Sequence, residues 1–119
     1  MEQFDVYFNP NPRTRDAYPY LVDIQSPLLS ELATRIVIPL GRSSVFDAGP
    51  MTKLTPTIEY AGEELLLLTP QIASLPAKLL HDPIGTIEHL RADIIAALDF
   101  AVSGIQGQPI STNPPVTPK

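Results

Sequence analysis

Apolar and polar positions alternate in short bursts through the first two-thirds of the chain, then switch to a helical period. Gln3 to Phe8 places Phe4, Val6 and Phe8 on one side and Gln3, Asp5 and Tyr7 on the other, as a half-buried strand does. Tyr18 to Ile24 resumes a strand with Tyr20, Val22 and Ile24 on one face. Leu28 to Leu32 reads as a short apolar turn or helix after Ser26-Pro27. Arg35 to Leu40 is nearly all aliphatic and reads as a central strand buried on both faces, with Pro39 near its end. Thr57 to Tyr60 and Glu64 to Thr69 flank Ala61-Gly62-Glu63 and form a predicted hairpin. Strands about 10 residues apart, with turn signals between them, point to a small barrel or sandwich.

From Ile84 to Ile105 the apolar residues recur at three and four: Ile87, Leu90, Ile94, Leu98, Ala101 or Val102, and Ile105. That spacing predicts one long amphipathic helix, with Thr86 as N-cap and Gly104 as terminator. Proline leaves no other place for it. Ten of the 14 prolines lie between positions 10 and 83 and cut that region into strand-length pieces. The other four fall within Gln106 to Lys119, where only Ile110 and Val116 could be buried. Ordering that segment would not repay its entropy, so residues 1–105 are expected to form the domain and 106–119 a disordered tail.

The charge balance narrows the function. With 8 Lys and Arg against 13 Asp and Glu, the net charge is −5, a poor match to a phosphate backbone. No direct nucleic-acid partner is expected. Cysteine is absent, which removes disulfide scaffolds and Cys-type zinc sites. The acidic N-terminus lacks an apolar run, and the longest aliphatic run, Leu65 to Leu68, is far too short to span a bilayer. A cytoplasmic protein without a membrane partner is the expectation.

Catalytic patterns are scarce: the chain has no Gly-rich phosphate loop, no G-x-S-x-G and no H-E-x-x-H. His81 and His89 lie without a carboxylate pair at ligand spacing and read as solvated or capping. No metal, cofactor or catalytic residue is expected. Arg13 and Arg15, in a Pro/Asn loop, are candidates to grip an anionic partner. Glu63-Glu64 reads as a solvated acidic tip. Asp99 stands close to the apolar stripe of the helix, where a charge needs a partner or water.

The segments QFDVYFNPNPRTRDAYPYLVDIQS, RIVIPL and GEELLLLTPQIASLPAKLL, followed by a helix closing in SGI, resemble in that order the CcdB family of toxins. LVDIQS, VIPL and IASLP are the most specific of them. The resemblance implies a mainly β fold: an SH3-like barrel with a subsidiary sheet and a long C-terminal helix, assembled as a two-fold homodimer. It implies an antitoxin whose disordered C-terminal segment wraps the dimer, for which Arg13 and Arg15 are the candidate contacts. It also implies inhibition of DNA gyrase, by binding the GyrA subunit and trapping the cleaved-DNA complex without chemistry of the toxin's own. Carried over by position, the gyrase-binding residues are Leu28, Leu29, Asp99, Val102, Ser103, Gly104 and Ile105. Gly104 and Ile105 match the family pattern, whereas Asp99 stands for its Asn, and Val102-Ser103 for its Phe-Trp. Two alternatives remain: a homologue that binds an antitoxin but has a weakened or switched target, and an mRNA endoribonuclease on the same barrel. The second needs a cationic groove that the scattered Arg13, Arg15, Arg35, Arg42 and Arg91 do not suggest.

Overall fold

The computed structural model describes residues 2–42 and 53–104. Among the described residues, seven antiparallel strands and one α-helix make up the fold: β1 (Asp5–Phe8), β2 (Tyr20–Asp23), β3 (Thr34–Arg42), β4 (Thr57–Tyr60), β5 (Glu63–Leu67), β6 (Ala73–Pro76), β7 (Gly85–Thr86) and α1 (Arg91–Ser103). The main path runs β4-β5-β3-β2-β1-β7 and curls into a half-barrel, while β6 branches off β3. Mainly β with one C-terminal helix is the architecture expected from the sequence.

The branch explains where Pro39 sits. β6 pairs with the first half of β3, Thr34 to Val37, and β5 with its last three residues, Leu40 to Arg42. Against β2, Ile24 N–H donates to the Ile36 carbonyl at 2.9 Å, and Leu21 faces Pro39 three registers further on. By the alternation of an antiparallel ladder, the N–H that Pro39 lacks would point away from β2, into the gap between β6 and β5. Pro39 is therefore tolerated inside the longest strand and not merely near its end. Its carbonyl still accepts from Leu68 N–H at 3.0 Å.

The two sheet faces are both used. One carries Val6, Val22, Ile38, Leu40, Leu65 and Leu67, packed with Phe4, Ile58 and Ile87 against Ile94 and Ala97 of α1. The other carries a smaller cluster of Tyr7, Leu21, Val37 and Leu80, with Leu75 against it. Tyr7, which alternation put on the polar side of its strand, is thus buried in a second core. Phe8, one residue on, is 60% exposed.

The β4–β5 hairpin forms as expected, around a two-residue loop in which Ala61 and Gly62 both have positive φ (55° and 77°). That is the backbone a twisted hairpin requires, and glycine adopts it freely. Glu63 is not a solvated tip: it pairs with Arg42 of β3.

The helix is shorter than its apolar period. Residues 84–87 are recruited by the open edge of β1: Ile84 N–H donates to Val6 O (2.8 Å), Ile87 N–H to Phe4 O (2.9 Å), and Gly85 faces Val6. Thr86 therefore belongs to a strand, although its Oγ1 does accept from Glu88 N–H (3.2 Å) at the head of a 3-10 turn, Glu88–Leu90. Only then does α1 begin. Gly104 closes it in the left-handed conformation (φ 75°), its N–H donating to Phe100 O at 2.8 Å.

The Tyr7 hydroxyl is buried and has no hydrogen-bond partner among the described residues. Burial, with Asp5 and Asp23 nearby, pushes its pKa up to about 12 from the ordinary 10.0. The neutral phenol is thus the form that folding favours. Its stability contribution is complete below pH ~10 and is lost as pH rises toward about 12. Tyr7→Phe should be neutral or stabilising by about 1 kcal/mol at pH 7, because the orphaned hydroxyl disappears. It should also flatten the alkaline loss of stability. Urea denaturation between pH 7 and 11 checks both, and a loss above about 2 kcal/mol at pH 7 would show that the hydroxyl has a partner.

Candidate functional site

Residues carried over by resemblance lie on two structural supports. The first begins with Asp23, at the end of β2. Its carboxylate is fully buried, and Arg35 of β3 meets it through Nε (2.8 Å) and Nη2 (2.7 Å), both on Oδ2. Asp23 Oδ1 accepts from Gln25 N–H at 3.0 Å. Burial raises the Asp23 carboxyl above its usual pKa, and the Gln25 amide and Arg35 hold against that rise.

Gln25 carries the connection outward. Its Oε1 accepts from Ile36 N–H (3.0 Å), replacing the backbone carbonyl of Ile24, which takes Gln3 Nε2 instead (3.2 Å). Its Nε2 donates to Leu29 O (2.7 Å). Beyond it, Ser26 Oγ accepts from Leu28 N–H (3.1 Å), and Pro27 opens a 3-10 turn, Pro27–Leu29. The turn buries none of its own residues: Leu28 is 92% exposed and Leu29 43%. Two leucines are thus held toward solvent by a buried polar chain, whereas unconstrained apolar residues would turn inward.

The second support is α1. Ile94 and Ala97 face the core, with Leu98 packed beside them. Ala92, Ile95, Ala96, Asp99 and Val102 follow the opposite stripe, and Arg91, Ala92, Ile95, Ala96 and Asp99 line a shallow open groove. Ile95 is 41% exposed and Val102 87%. The helix therefore has two apolar faces, of which the sequence periodicity identified one. Ser103 Oγ donates back to Asp99 O at 2.8 Å, so this side chain lies along the helix. Ile105 lies outside the described residues.

Arg13 and Arg15 stand on a loop stapled by Asn9, which is not the loose segment its Pro/Asn content suggests. Asn9 Nδ2 donates to Thr14 Oγ1 (2.9 Å) and Tyr18 O (2.8 Å), Asn9 Oδ1 accepts from Asn11 N–H (2.9 Å), and Arg15 Nε donates to Asn9 O (2.8 Å). Arg13 is exposed. His81 and His89 are both exposed, and no group of three or more metal-ligating side chains occurs among the described residues. No described helix is long and apolar enough to cross a membrane.

A family model described as CcdB protein matches residues 3–104, nearly all of the strands, turns and helix above. The chain belongs to the CcdB family. Membership implies a toxin of a toxin–antitoxin pair. Within this CcdB-family chain, the feature sequence reasoning missed is the Asp23–Arg35–Gln25 chain: Arg35 looked like one scattered cation among several. Its signal was present, because a charge opening an otherwise aliphatic strand must be paired if the strand is central.

Removing one member of a buried pair strands the other charge. Asp23→Ala should lose about 3–5 kcal/mol in urea denaturation, while Asp23→Leu combined with Arg35→Met should recover most of that loss. A double variant no more stable than the single one would mean that the ion pair is not what these residues supply.

Proposed function

We propose that the chain is the toxin of a type II toxin–antitoxin system, acting as a homodimer that binds the GyrA subunit of DNA gyrase and traps the cleaved-DNA complex. The observation carrying this reading is the outward display of Leu28 and Val102, at 92% and 87% exposure, at positions that correspond to the family's gyrase contacts. Exposed apolar patches on rigid backbone mark protein interaction sites. The outward apolar face of α1 supports assembly with a second copy. The working domain in this reading is residues 1–105, with 106–119 as an appended tail. Inhibition then needs no catalytic residue, and the cognate antitoxin neutralises the toxin by covering its surface.

A second reading keeps the antitoxin and changes the target. It is favoured by Ser103, which stands where the family resemblance has tryptophan and whose hydroxyl folds back onto Asp99 O. Serine cannot supply the buried area of an indole, and the loss of such an anchor typically costs ~2–4 kcal/mol of binding.

Purified full-length protein added to gyrase and supercoiled DNA should accumulate cleaved DNA. Leu28→Glu should raise the concentration needed at least tenfold without moving the unfolding midpoint. Ser103→Trp with residues 106–119 removed should lower it. Retained growth inhibition on expression with no cleaved DNA at any concentration would favour the switched-target reading over gyrase.

A further inference from the structure

At one end of the half-barrel stands a row of three rings that no site above uses. Phe8 of β1 and Tyr20 of β2 are directly paired, so alternation puts both on the sheet face that packs against α1. Their centroids lie 5.9 Å apart, and Tyr20 meets Tyr60 of β4 edge-to-face at 5.2 Å. Phe8 is nonetheless 60% exposed, with Tyr20 and Tyr60 half-buried beside it.

The row is held in place. Tyr20 and Tyr60 pack on the buried core, and the Tyr60 hydroxyl rests so close over Gly85 of β7 that a β-carbon there would collide with it. β4 and β7 are the two ends of the main sheet path, so this contact bridges them and fixes the last ring of the row. The two centroid spacings bound the row at about 11 Å end to end. An ordered aromatic surface of that length suits a proline-rich chain, because polyproline II is preformed and presents the same face every three residues, about 9 Å.

The chain itself supplies such a segment. Residues 114–118 read Pro-Pro-Val-Thr-Pro, which sets Pro115 and Pro118 three apart on one face of a polyproline II turn. Residues 105–119 extended in that form would span about 46 Å. The longest dimension of the molecule is 47 Å, so the row is within reach of a chain leaving Gly104. Proline's fixed φ lowers the entropy of ordering this segment, which burial of Ile110 and Val116 alone would not repay. Charge agrees: residues 105–119 hold Lys119 and no acid, whereas Glu59 and Glu64 stand directly opposite each other beside Tyr60, both exposed. Like charges so placed repel, and a cation relieves them.

We propose that residues 114–118 dock on this row as a turn of polyproline II. Pro115 and Pro118 lie against the rings of Phe8, Tyr20 and Tyr60, and Lys119 reaches the Glu59–Glu64 pair. The contact holds the segment that follows α1 against its own domain whatever the domain's target, so it does not rest on the toxin reading.

The test uses the full-length protein. In its NMR spectra, ring protons of Pro115 and Pro118 should show nuclear Overhauser contacts to the rings of Phe8 and Tyr20. A prolyl endopeptidase should cut within residues 114–118 at least fivefold faster in Phe8→Ser than in the unaltered protein, with an unchanged unfolding midpoint. Phe8→Tyr should keep the protection. Pro115→Ser combined with Pro118→Ser, which leaves the described domain untouched, should shift the Tyr20 and Tyr60 ring signals. Equal digestion rates with and without Phe8→Ser, or ring signals indifferent to the proline changes, would overturn the proposal. So would proline contacts to Ile95 or Leu75 in place of the rings, which would put the segment on α1 or on the outer sheet face. Protection that is lost on dilution would overturn it as well, by making a second copy's segment the occupant.

Discussion

A buried ion pair fixes the arrangement on which the rest depends. Taking Asp23 and Arg35 out of water costs several kcal/mol per ion, and only close geometry with further hydrogen bonds offsets it. Here the guanidinium meets one carboxylate oxygen through two nitrogens, and the other oxygen takes the Gln25 amide. The pair joins β2 to β3 where β3 is also held by β6, so three strands are locked in register at one point. A one-residue slip would leave both charges buried without partners. Register is thus specified far more sharply than apolar alternation alone would specify it.

Gln25 turns that internal constraint into an external shape. One end of its amide stands in for a missing backbone acceptor at Ile36, and the other holds Leu29 O. The Pro27–Leu29 turn cannot fold inward without breaking the bond from Gln25 Nε2 to Leu29 O. Apolar exposure, which costs stability at that turn, is underwritten by polar burial behind it. On α1 the same outcome is reached differently: the helix is apolar on two sides, and the core has room for one.

The sequence made the large architecture legible because strand and helix periods differ and proline confines the helix. The hairpin, the central strand and the Gly104 stop all follow from local chemistry. The helix start did not, since Ile84, Gly85 and Ile87 satisfy a helical period while the vacant edge of β1 claims them first. The burial of Tyr7 was equally hidden: alternation assigns faces, but only the folded sheet shows that both faces are covered. β6 carries too weak a pattern in four residues, and its proline argues against a strand until it is seen on an edge.

Site residues were legible in a different way. Leu28, Leu29 and Val102 were named by family resemblance, and their exposure is a property of the fold that composition does not reveal. What holds the leucines out was written in Asp23, Gln25, Ser26 and Arg35, yet a charge on a strand shows its partner only in three dimensions. The most direct test of the coupling between buried chain and displayed leucines is amide hydrogen exchange in Gln25→Leu. Exchange at Ile36, whose N–H loses Gln25 Oε1, and at Leu29, whose N–H donates to Ser26 O within the turn that Gln25 Nε2 tethers, should accelerate at least tenfold more than at Val22 and Ile38. Unchanged exchange at Leu29, or a uniform acceleration across all four amides, would contradict it.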